Sequence, residues 1–312
     1  ISMKRRVIKQ GNDTLTVTLP RKWARDTGIK AGDEIEIKEE KNRLVLEVGD
    51  IVTEPKKIQL DFSKANETVI KSILAVVHKN GYDEVEVLFN DPKTVKIVQK
   101  RINTMLMGYE IIEQSSKRCV IKNVAGWQGS DFEGMLRRTF LVTLTLAKNS
   151  LETIKTGDYA NLNELLVLEE TSNKLTNYCH SLLNRGIIES QSKTTYLYII
   201  SWLLEKIGDE YRDICVFLLK DNKVKLNKAL LLVYERVNVL LEDYYNLFYK
   251  YDLERLESIY KKHESIRKEL TEMLGEHYKD EFFVVVGLIQ ITQRIHDGFG
   301  STSCLHHLGQ SS

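Results

Sequence analysis

The sequence predicts a multidomain α+β protein. It comprises a small β-rich domain over residues 3–50, a βαβαββ domain over 55–124, an all-α domain over 129–300 built as a duplicated three-helix bundle, and a polar tail over 301–312. Three observations predict it. Pro20, Pro55 and Pro92 are the only prolines, and glycine thins out after them, so the last two thirds of the chain lack helix breakers. Apolar residues alternate with period 2 in the first 50 positions and recur at helical spacing after Ser130. A length of 312 residues, at roughly 150 per domain, asks for two domains, or three if one is small.

The first domain opens with a basic strand and a second strand over 14–19, where Thr14-Leu15-Thr16-Val17-Thr18-Leu19 alternates strictly. Gly11-Asn12-Asp13 turns between them; Pro20 starts a short helix through Arg25 that Gly28 closes. Strands follow at 34–37 and 44–48. Four short strands in fifty residues bury too little surface alone, which predicts an obligate homodimer. The middle domain reads as strand 57–60, helix 65–79, strand 84–89, helix 93–106, and strands 109–114 and 118–123. Its split βαβ order suggests a ferredoxin-like sandwich. Six helices come next, over 130–156, 160–187, 192–221, 223–250, 252–275 and 278–298, with breaks at Gly157-Asp158, Gly186, Asp221-Asn222, Tyr251-Asp252 and Gly275. In the fourth, Leu226, Leu230, Val233, Val237, Leu240, Tyr244, Leu247 and Tyr251 form a core stripe.

Composition narrows the function. A net charge of +1 gives no chain-wide basic field, so any nucleic-acid site is local. The longest apolar run, Phe282 to Ile289, is far short of the ~20 residues of a bilayer span; the chain reads as cytoplasmic, without membrane insertion. Cys119, Cys179, Cys215 and Cys304 form no C-x-x-C pair and suit neither a disulfide framework nor a zinc ribbon. Ile1 and Ser2, ahead of Met3, carry no assigned role.

Residues 3–30 concentrate eight basic side chains against Asp13 and Asp26, a local net charge of +6. Such a run is either a solvated face or a phosphate-neutralising surface. The stretch from Thr16 to Ile37, with Leu19-Pro20, a short helix, Gly28-Ile29-Lys30-Ala31-Gly32-Asp33 and a hydrophobic strand after it, resembles the AbrB/SpoVT/MazE swapped-hairpin family over about 45 residues. That resemblance implies an intertwined two-chain barrel whose symmetric basic face binds double-stranded DNA. The positions most like the family's DNA contacts are Lys4, Arg5, Arg6, Lys9, Arg21, Lys22 and Arg25. Leu15-Thr16 stands where the family's hairpin often carries an Arg. Trp23 is read as a packing residue rather than a base-stacking one.

In the third long helix, Glu205, Asp209 and Asp213 recur at i, i+4 and i+8, on one face. Three carboxylates in a row are either a ridge neutralised by Lys206 and Arg212 or hard-oxygen metal ligands. The run Leu204-Glu205-Lys206-Ile207-Gly208-Asp209-Glu210-Tyr211-Arg212-Asp213-Ile214 resembles the signature of PhoU, a phosphate-uptake regulator of two three-helix repeats. The equivalent place in the second repeat has Gln293 and Asp297. The resemblance implies control of phosphate uptake and a divalent or iron-type metal at the acidic motif. Cys304, His306 and His307 in the tail are read as frayed rather than metal-binding.

Together the two resemblances predict a DNA-binding regulator of phosphate uptake, in which a helical sensor controls a dimeric reader. The alternative is an interaction protein that docks on a phosphate transporter or its sensor kinase. An antitoxin role fits less well, because some 260 folded residues follow where such proteins carry a short tail. An enzyme is the least expected reading: no His follows a Glu by three positions, as a di-iron bundle needs, and no phosphate loop, nucleophile elbow or H-E-x-x-H occurs.

Overall fold

The computed structural model describes residues 3–40, 43–47, 55–128, 132–187, 191–220, 224–275 and 279–308. The chain folds as two compact units, Ile1–Glu54 and Pro55–Ser312.

The first unit is two hairpins and a helix. β1 (Ile8–Gln10) pairs antiparallel with β2 (Thr14–Thr16), and β3 (Glu36–Glu40) with β4 (Arg43–Glu47). Between the hairpins lies α1 (Arg21–Asp26), which Pro20 enters in extended conformation. Gly28 ends it at φ 76°, in the left-handed region only glycine enters cheaply. None of the residues of this unit whose side chains are described is buried.

The second unit begins with β5 (Lys57–Asp61), α2 (Glu67–Lys79), β6 (Glu84–Leu88), α3 (Lys93–Met105), β7 (Tyr109–Gln114) and β8 (Arg118–Asn123). Element order matches the expected βαβαββ, but the sheet order is β5-β6-β8-β7. Only the second crossover is split, with β8 inserted between β6 and β7; the first joins β5 directly to its parallel neighbour β6. A ferredoxin-like sandwich needs two interleaved split units, so that expectation is corrected. The reason lies in the terminal hairpin: β7 and β8, joined by a short turn, fill one edge together.

Six helices follow: α4 (Phe132–Thr156), α5 (Leu162–Asn184), α6 (Gln191–Lys220), α7 (Lys228–Tyr249), α8 (Leu253–Glu272) and α9 (Phe282–Leu308). α4, α5 and α6 pack on one another, as do α7, α8 and α9, and α6 against α9 forms the largest helix interface. The predicted stripe is buried from Leu226, just ahead of α7, to Leu247, while its last member, Tyr251, lies beyond the helix and is half-buried. The breaks at Gly157, Gly186 and Gly275 fall between helices, while that at Asp221-Asn222 lies outside the described residues. The middle sheet is docked on the bundle through α2 and α3, which pack on α5. Trp127 stacks on Tyr178 and donates from Nε1 to Asp83 at 2.8 Å, and Arg185 pairs with the same carboxylate at 2.9 Å.

The expected tail from residue 301 is also corrected: α9 continues to Leu308. Gly298 breaks nothing, because it lets the Tyr244 ring approach so closely that an added Cβ would lie 2.6 Å from its Cζ. Thr302 is buried with its hydroxyl 3.2 Å from that of Tyr244, and His306 stacks on Tyr251. Packing there outweighs weak helix propensity. Residues 309–312 of that tail lie outside the described residues. No helix among the described residues is long and apolar enough to cross a membrane.

Candidate nucleic-acid interface

The β1–β2 hairpin sets Lys9 opposite Leu15, so these two share one face while Ile8 and Thr16 share the other. Thr16 donates from its hydroxyl to the Ile8 carbonyl at 3.2 Å. The helix that carries Arg21, Lys22 and Arg25 is closed by Thr27, whose hydroxyl donates to the Trp23 carbonyl at 2.8 Å, and by Ile29 N–H, which donates to Ala24 O at 2.9 Å. The turn toward β3 is pinned where Lys30 N–H donates to Asp33 Oδ2 at 2.7 Å. Trp23 is half-buried.

Lys4, Arg5, Arg6, Lys9, Arg21, Lys22 and Arg25 are all exposed. Among the described residues, only Arg25 has an ion pair, a long one to Asp26 at 3.6 Å with both side chains mostly in solvent. The other six have none, so their charge is available to phosphates. The apolar partners of this surface are exposed too: Val7 63%, Ile8 54%, Leu15 69%, Val17 53%, Ile37 59% and Leu44 68%. One copy therefore supplies cations on a scaffold that does not cover its own apolar side chains.

The acidic ridge is different. Glu205, Asp209 and Asp213 lie along α6, but each meets a cation. Lys79 Nζ reaches Glu205 at 3.0 Å, Lys206 bridges Glu205 (3.4 Å) and Asp209 (2.6 Å), and Arg212 reaches Asp209 (2.8 Å) and Asp213 (2.9 Å). Arg212 also holds Glu169 of α5 at 2.7 Å. Burial pushes the Glu169 carboxyl up to about 6, with Arg212 opposing and Asp209 adding to the rise. In this arrangement the donors do not fit a resident metal. Lys206 and Arg212 stand between them, and among the described residues no group of three or more His, Cys, Asp or Glu is placed to hold one. Glu169 and Lys79 escape sequence reading, because their partners lie 43 and 126 positions away. Cys304, His306 and His307 lie within the last turns of α9, Cys304 and His306 half-buried and His307 exposed, with His306 Nε2 3.0 Å from the Phe248 carbonyl.

Residues 8–57 match the family model described as antidote-toxin recognition MazE, bacterial antitoxin. The match takes in Lys9, Arg21, Lys22 and Arg25, starts after Lys4, Arg5 and Arg6, and ends at the first residue of β5. No curated protein and no solved structure matches the chain. The likeness covers the first unit and suggests a DNA-binding function of transcription-regulator or antitoxin type.

Proposed function

We propose that the chain is a DNA-binding transcriptional regulator whose Ile1–Glu54 units pair between two copies to present a basic face to double-stranded DNA. The helical unit acts as a phosphate-status sensor. One observation carries the DNA reading: within a segment resembling MazE/AbrB-type domains, the exposed Lys9, Arg21 and Lys22 stand without carboxylate partners. The uncovered apolar residues support pairing of copies. The phosphate assignment rests on the resemblance of residues 204–214 to the PhoU signature and on the two groups of three helices. Regulation requires the effector to bind one arrangement of the dimer better than the other.

The test is DNA binding by the full chain over a salt series, on its own upstream region and on phosphate-transport promoters. It is run beside a variant with Arg5, Arg6, Arg21 and Arg25 changed to Ala. Promoter-selective binding is expected, with a steep salt dependence that flattens by ~0.9 in log–log slope for each phosphate contact removed. Equal weak binding to every fragment, indifferent to the substitutions, would overturn it.

A second reading, an antitoxin, is favoured by the match to the MazE bacterial antitoxin family over residues 8–57. It predicts that deleting the gene arrests growth, which a phosphate regulator does not require in phosphate-sufficient medium.

A further inference from the structure

A cleft of about 380 Å³ lies where α2 and α3 meet the bundle, lined among others by Lys71, Lys79, Arg101, Asn177 and Glu205. Thr68 and Ser72 add hydroxyls. Three cations thus face one carboxylate. Lys79 is paired with Glu205 at 3.0 Å, and Lys71 with Glu67 one turn earlier on α2. Arg101 is not paired. Among the described residues its one hydrogen bond runs from Nε to the Lys71 carbonyl at 3.1 Å, and no carboxylate comes within ion-pair range. Burial pulls its pKa below the ordinary arginine value, against the attraction of Glu205. A partly desolvated guanidinium without a carboxylate in direct contact is costly unless something else completes it.

Asn177 supplies the second observation. It is 1% exposed, lines the same cleft, and neither its Nδ2 nor its Oδ1 has a hydrogen-bond partner. Buried polar side chains are satisfied in the large majority of cases, so an amide unpaired at both ends beside a cationic cleft calls for a group from outside the chain.

From this geometry we propose that the cleft binds a small oxyanion, a phosphoryl- or sulfate-bearing molecule. Arg101 and Lys71 hold its charge and Asn177 Nδ2 donates to one of its oxygens. Because Lys71, Arg101 and Asn177 come from α2, α3 and α5, the anion ties the sheet layer to the bundle. The site is independent of the DNA reading.

The test is calorimetric titration of the full chain with inorganic phosphate, sulfate and AMP at constant ionic strength. Saturable binding is expected; preference for AMP identifies an ester, and preference for phosphate or sulfate a free ion. Arg101→Gln and Lys71→Gln each weaken binding about tenfold or more, as loss of a charge-assisted hydrogen bond does. Lys71 is at the rim, so its variant tests the site without disturbing packing. Asn177→Leu weakens binding while leaving the anion-free thermal midpoint unchanged or higher, whereas a purely structural asparagine would lower it. No saturable binding at millimolar anion overturns the proposal. So does binding that survives all three substitutions, or binding abolished by changing Arg5, Arg6, Arg21 and Arg25 to Ala, which would move the site to the N-terminal face.

Discussion

The two units use the same apolar alphabet to opposite ends. In Pro55–Ser312, Phe140, Tyr211, Tyr234, Tyr244 and Phe299 are wholly hidden, because six long helices give each stripe another helix to meet. In Ile1–Glu54 the alternation is as regular, yet Leu15, Ile37 and Leu44 stay in solvent. Two isolated hairpins do not have the area to cover their own faces. The contrast lies in the number of elements, not in hydrophobicity. On the proposed pairing of copies, exposure in the first unit marks a contact outside the single chain, whereas exposure in the second marks a surface.

The sharpest way to break that comparison is Ile37→Asp. At a surface position it changes stability by less than about 0.5 kcal/mol. Beneath a second copy, beside Leu46 on the paired strand, it places an unpaired charge in an apolar contact at a cost on the order of 3–5 kcal/mol per copy. The expected outcome is dissociation to monomers in sedimentation at micromolar concentration, with the unfolding of the second unit unmoved. A dimer that persists unchanged would mean the first unit does not pair through this hairpin.

Acid should separate the units next. Burial pulls the His78 imidazole down to about 4, the Met107 carbonyl at 3.1 Å opposing and Lys79 reinforcing. A depressed histidine contributes stability that is present above its unfolded value near 6.5 and lost as pH falls through about 4. The loss is on the order of 3 kcal/mol at most. Denaturant unfolding at pH 7 and pH 4.5 should show the Pro55–Ser312 transition moving to lower denaturant. The change should be smaller in His78→Gln.

How much of this is legible in sequence follows from the range of each interaction. The strands Tyr109–Gln114 and Arg118–Asn123 fall where local alternation puts them, and the α7 stripe is buried residue by residue. The seven N-terminal basic residues are legible for the same reason, since a short run of strand and helix cannot hide them. The order of strands in the sheet is decided by which edge a crossover reaches, and periodicity holds no record of it. Gly298 and Thr302 look like a helix end until Tyr244, more than fifty positions away, is placed against them. The acidic ridge is half legible: its spacing is local, but Lys79 and Glu169, which decide its charge, arrive from other elements.

That ridge provides the smallest and most specific test. Glu169 is 6% exposed at its side chain, shares Arg212 with Asp209 and Asp213, and accepts from Asn173 Nδ2 at 2.5 Å. Its pKa rises from 4.5 to about 6 because burial disfavours the carboxylate more than Arg212 favours it. A raised acid contributes stability that is full below its unfolded value and lost as pH climbs through its folded one. Here stability falls with pH between about 4.5 and 6, by about 2 kcal/mol at most. The sign is opposite to that of His78, so the two partly cancel in the unaltered chain. Glu169→Gln keeps the hydrogen-bonding shape and removes the titration, while Arg212 retains two carboxylates. Read as the difference from the unaltered chain at each pH, in which the slopes of His78, His180 and His263 are common to both proteins, this substitution should change stability little below about pH 4.5 and raise it by up to about 2 kcal/mol at pH 7. A drop at pH 7 would show instead that Arg212 needs the Glu169 charge, and that the ridge is held by this ion pair rather than strained by it.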